Sequence, residues 1–217
     1  MSELKQELAA FKAKFSTTNS AAVVSAYEKG IEELRAAGLE REALRAGDLA
    51  PDFELPDATG RPLRLVERLK EGPVVLKFYR GGWCPYCNLE LRAFQQALPE
   101  VRSLGAQLIA VSPETPDHSL STVEKNALTF AVLTDTGNQV ARQYRLAFLL
   151  SDELRALYKS RGRDIAEWNG GDWTLPVPGT FVIDTVRRVS LAHVDADYRS
   201  RLEPSAVLAE LRRMRGR

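Results

Sequence analysis

The sequence predicts an α/β protein with a mixed central sheet, helices on both faces of it, and an N-terminal helical extension. Three observations carry this expectation. Between residues 73 and 144, β-branched and aromatic runs alternate with stretches of helical periodicity, the pattern that lays parallel strands side by side through helical crossovers. Two further strand-like runs, 179–184 and 189–194, are joined by Thr185-Val-Arg-Arg188 and read as an antiparallel hairpin. Ahead of residue 44 only helical periodicity is present.

Each element follows from its residues. Leu4, Leu8, Phe11 and Phe15 recur at steps of four, three and four, placing them on one helical face. A second helix is predicted from Ser20 to Ala37, with Gly38 as its stop. These two helices either cap the main domain or offer a homodimer surface, and apolar stripes of this kind favour packing on a core. The composition changes at residues 45–51, so the expected organisation is an extension over 1–44 and a main domain over 45–217. Short strands are predicted on either side of the turn Asp57-Ala-Thr-Gly60. Residues 73–79, 107–112 and 130–133 read as buried strands. Helices are expected over 87–105, 116–126, 138–144 and 204–214, the last with Pro in its first turn and a basic tail. Residues 151–173 form a polar insertion with one or two helices.

Composition narrows the function. The chain has 217 residues, with 30 Lys+Arg against 29 Asp+Glu for a formal charge of +1, which gives no whole-chain attraction to nucleic acid or anionic membrane. No apolar run approaches the ~20 residues of a membrane helix, and the opening residues lack a signal-peptide core, so a cytoplasmic location is expected. The two cysteines, Cys84 and Cys87, lie three apart in Trp-Cys-Pro-Tyr-Cys. A bridge between them would constrain little of the unfolded chain, so the pair points to redox chemistry rather than a disulfide scaffold. No metal is expected, because His118 and His193 stand at no ligand spacing and read as polar or hydrogen-bonded surface residues.

The spacing permits a defined chemistry. A helix beginning at Cys84 presents unpaired N–H groups to both sulfurs, Arg80 lies just upstream, and the neighbouring thiol can donate to a thiolate. Together these lower a thiol pKa to roughly 3.5–7.5. Cysteines at i and i+3 of a helix start can close a disulfide with little backbone movement. Trp83 and Tyr86 flank the pair, one expected to pack beneath the turn and one to shape the mouth of the site.

Strand, Trp83-Cys84-Pro85-Tyr86-Cys87, helix, and a later Pro178 before Gly-Thr-Phe-Val-Ile-Asp184 resemble the thioredoxin-like superfamily. The opening Gly47-Asp-Leu-Ala-Pro-Asp-Phe53 and the segment from Phe78 to Leu91 resemble its alkyl hydroperoxide reductase and thiol-specific antioxidant branch, the peroxiredoxins. That resemblance implies a thioredoxin-like fold and a thiol peroxidase, with Cys87 peroxidatic, Cys84 resolving, and no cofactor. Cys84 stands where the family pattern has a hydroxyl residue, Arg80 where it has proline, and Pro178 where it has arginine. Arg80 is then the residue expected to take over polarisation of the peroxide. Trp83, Tyr86, Pro178 and Thr180 are the implied substrate-binding residues, the substrate a peroxide or a disulfide, and the reductant a thioredoxin-like protein. The thioredoxin pattern reads the same residues as a thiol–disulfide oxidoreductase, with Cys84 as nucleophile and Pro178 as a cis-proline facing it. A third reading, a non-catalytic interaction module, leaves the cysteines without a redox role.

Overall fold

The structure is a computed structural model and describes residues 3–216. In chain order the elements are α1 (Glu3–Thr18), α2 (Ala21–Ala36), α3 (Leu39–Glu42), β1 (Glu54–Pro56), β2 (Pro62–Arg64), α4 (Leu65–Leu69), β3 (Val74–Phe78), α5 (Pro85–Ser103), β4 (Gln107–Ser112) and α6 (Pro116–Lys125). They continue as β5 (Ala131–Thr134), α7 (Gln139–Gln143), β6 (Ala147–Leu149), α8 (Asp152–Ser160), α9 (Ile165–Trp168), β7 (Thr174–Pro176), β8 (Gly179–Ile183), β9 (Val189–Val194) and α10 (Pro204–Arg215).

The central sheet has the order β5-β4-β3-β8-β9. β3 pairs in parallel with β4, and β4 with β5. β8 runs antiparallel to both β3 and β9. The hairpin joins the sheet through β8, giving two parallel and two antiparallel pairings, the mixed sheet that the sequence predicts. All five residues of β3 are buried, because both faces of the sheet are covered.

Period-2 alternation sorts the core into two layers. Val75, Leu108, Ala110 and Val182 face a cluster completed by Leu4 and Leu8 of α1, Leu91, Phe94 and Leu98 of α5, and Val207, Leu208 and Leu211 of α10. Leu76, Phe78, Ile109, Val111 and Phe181 face the other, with Leu65, Leu69, Val140 and Tyr144. The apolar stripe of α1 therefore packs on α5. Ser20 caps α2, its hydroxyl accepting from the Val23 N–H at 3.4 Å.

The segment expected to be a polar insertion carries a third cluster. Tyr158 and Ile165 are fully buried there, packed with Tyr27 of α2, Leu150 and Leu175. Its ends are tied by the two-stranded pair β6–β7, which the sequence did not announce. No helix among the described residues is long and apolar enough to cross a membrane.

Candidate active site

The turn between β3 and α5 builds the site. Gly81 has φ +142, and a Cβ on it would lie 2.3 Å from the Trp83 ring nitrogen. A Cβ on Gly82 would lie 1.9 Å from the Thr122 Oγ1, so this turn packs too closely against α6 for a side chain. Gly82 N–H donates to Glu114 at 2.9 Å. Burial pushes the Glu114 carboxyl up to about 7. The turn delivers Cys84 as the residue preceding α5, in extended conformation, with Pro85 in the first helical turn.

Both cysteines are free thiols and are buried, Cys84 at 1% exposure and Cys87 at 0%. Their protonation differs sharply. Burial works to raise the Cys84 pKa, but donation from the Cys87 thiol and the guanidiniums of Arg80 and Arg201 outweigh it and hold it at about 5. Its side chain makes no formal helix-capping hydrogen bond. The Cys87 N–H nevertheless favours the same anion. Cys87 is pushed well above the ordinary thiol range by burial, by its donation to Cys84 and by the Cys84 charge. The surroundings thus favour the negative charge on Cys84 and the proton on Cys87.

Arg80 is 3% exposed and donates from Nη2 to the Tyr158 hydroxyl at 2.6 Å. Its guanidinium lies 4.2 Å from the Tyr198 ring centre and 4.8 Å from that of Trp83. Its Nε has no hydrogen-bond partner among the described residues. On the other side of the pair, Arg201 Nη2 lies 3.5 Å from the Cys87 sulfur, and its Nη1 binds Glu90. Glu90 in turn accepts from Lys77 at 2.8 Å, and Lys77 donates to Thr180 Oγ1 at 2.7 Å. Two buried cations, Lys77 and Arg201, thus share the single carboxylate of Glu90 beside Cys87.

Cys84, Arg80, Trp83 and Tyr86 come together on the wall of one cavity of about 190 Å³. Phe11, Phe15 and Tyr27 of the extension complete that wall with Tyr158, Arg161 and Arg163 of the insertion and Tyr198. Tyr86 meets Phe11 edge-on, with ring centres 5.0 Å apart. Pro178 and Thr180 do not line the cavity. Thr180 is buried and holds Lys77. Pro178 is buried as well, and its preceding peptide is trans, not the cis-proline the thioredoxin pattern implied. His193 is half-buried rather than on the surface, and its Nε2 has no partner among the described residues. Burial lowers its pKa.

Sequence reasoning missed Arg201, Glu90 and Lys77. Lys77 carried a signal: a lone charge inside the apolar run Val-Val-Leu-Lys-Phe needs a buried counter-charge. Glu90, three residues beyond Cys87, shares its helical face. Arg201 lies in irregular chain between β9 and α10, where no periodicity singles it out.

Fold and site together define a thioredoxin-like protein with a redox dithiol at a helix start. A profile of the AhpC/TSA family matches residues 46–192, and the chain belongs to that family. It is a thiol-dependent peroxidase. The crystal structure of peroxidoxin BcpB from Mycobacterium tuberculosis superposes with a TM-score of 0.63 at 28% identity, covering 79% of this chain and 98% of that one. Peroxiredoxin Bcp of Escherichia coli strain K12 is 30% identical over 101 residues, 46% of this chain and 64% of its own. The bacterioferritin comigratory protein of Xanthomonas campestris shares the fold, with a TM-score of 0.60 at 18% identity over 80% of this chain and 99% of that one.

Proposed function

We propose that the chain reduces hydrogen peroxide or an organic hydroperoxide with Cys84 as the first nucleophile and Cys87 as the resolver, the reverse of the order implied by the family pattern. One observation carries this reading: Cys84 lines the cavity as a thiolate beside Arg80, whereas Cys87 is fully buried, protonated and off the cavity wall.

The Cys84 thiolate attacks the terminal oxygen of R–O–O–H, the O–O bond breaks, and the RO⁻ that leaves takes a proton to become ROH. Sulfur is oxidised to the sulfenic acid and the peroxide is reduced. Oxidation removes the negative charge on Cys84 and with it the two interactions with Cys84 that raised the Cys87 pKa. The attraction of Arg201 for the Cys87 thiolate then remains. Cys87 loses its proton and attacks the Cys84 sulfur, and water leaves as the disulfide forms. A thioredoxin-like dithiol returns two electrons, and the reading places the cycle in the cytoplasm. Membership of the AhpC/TSA family, with relatives named peroxiredoxins, favours the peroxidase over the oxidoreductase.

Sulfenic-acid trapping after one equivalent of peroxide tests the order. Adduct is expected on Cys84 in Cys87→Ser and none in Cys84→Ser; the opposite pattern would return the peroxidatic role to Cys87.

A further inference from the structure

The cavity over Cys84 carries more charge than the reaction uses. It is lined by three guanidiniums, Arg80, Arg161 and Arg163, and by no carboxylate. The Cys84 thiolate balances one of them. Arg80 is buried with a free Nε. Arg163 is half-buried and makes no ion pair or side-chain hydrogen bond among the described residues. Arg161, exposed, donates to Asn19 at the α1–α2 junction at 2.8 Å, which ties the insertion to the extension at this point. A guanidinium left without an anion beside an aromatic wall is an anion-binding group whose partner has yet to arrive.

Size supplies the second constraint. An apolar cavity of about 150 Å³ holds benzene, so the 190 Å³ here accommodates an aryl or short branched alkyl group. Hydrogen peroxide would leave most of that space to water. The walls that enclose it, Phe11, Phe15, Tyr27 and Tyr158, belong to the extension and the insertion rather than to the sheet.

We propose that this cavity selects organic hydroperoxides with an apolar body and a carboxylate, which Arg163 and Arg161 hold at the mouth while the peroxide group reaches Cys84. The inference rests on the peroxidase reading with Cys84 as nucleophile and adds its substrate class. The reaction is the one given above, with R bearing the carboxylate.

Single-turnover oxidation of the reduced full-length chain tests it with three probes: hydrogen peroxide, cumene hydroperoxide, and cumene hydroperoxide with a ring carboxylate. The carboxylate probe is expected to react about tenfold faster than its neutral parent, the scale of one charge-assisted hydrogen bond. That ratio is expected to fall toward one in the Arg161→Gln/Arg163→Gln double variant, and to shrink with added salt. Because it is a ratio within one protein, partial loss of folded material cancels. A ratio near one in the unaltered chain overturns the proposal, as does a ratio that survives in the double variant. If the double variant instead slows reduction by glutathione while the ratio stays fixed, the arginines serve an anionic thiol reductant and the proposal falls. Consumption of all three probes no faster than by a free thiol would strike the peroxidase reading itself, a result separable from the others.

Discussion

Arg80 occupies a position that an apolar interior tolerates only if an anion is close by. It is 3% exposed, touches no carboxylate among the described residues, and faces two aromatic rings and a tyrosine hydroxyl. The Cys84 thiolate supplies the missing charge, so guanidinium and thiolate stabilise one another. Arg80→Met keeps the length and removes the charge. It is expected to raise the Cys84 pKa by about 1–3, read from the ultraviolet absorbance of the thiolate against pH. Because the folded-state pKa of Cys84 lies below its unfolded value, its stabilisation of the reduced protein is full above the ordinary thiol value of about 8.5. It is lost as pH falls through about 5. Glu90 has the complementary role behind Cys87, where it is the shared anion of Lys77 and Arg201. Glu90→Gln leaves two buried cations without it and is expected to destabilise the fold by about 3–5 kcal/mol in chemical denaturation.

At the scale of elements, the turn before α5 sets the geometry, and α6 sets the turn. Gly82→Ala would push a methyl group into Thr122. A loss of about 1–3 kcal/mol is expected, with partial recovery when Thr122→Ala is added, because the two sites share one contact. The strands and long helices were legible in the sequence because each carries a sustained period: the helical stripe of α1, the β-branched runs of β3 and β4. The four-residue α3, the five-residue α4 and the three-residue β6 and β7 were not. Segments that short complete no period, and tertiary contacts decide them. The insertion misled for another reason. Its charged residues dominate the composition, yet Tyr158 and Ile165 carry its packing.

Across the whole molecule, the sheet holds the redox pair, while the extension and the insertion close over it. The dithiol and Arg80 were visible in the sequence because they are adjacent in the chain. Arg201 lies 114 residues from Cys87 and Tyr158 78 residues from Arg80, and only the fold brings them there. The cysteine order proposed here differs from the one motif alignment suggests, since a pattern records where sulfur stands but not which sulfur bears the proton. The most direct measurement is stopped-flow oxidation of the reduced protein by hydrogen peroxide as a function of pH, followed by Trp83 fluorescence. The account predicts a rate that rises through an inflection near 5 and is flat across neutrality, in the unaltered chain and with a similar profile in Cys87→Ser. A rate that climbs only near the ordinary thiol value of about 8.5, or one that persists in Cys84→Ser, would contradict it.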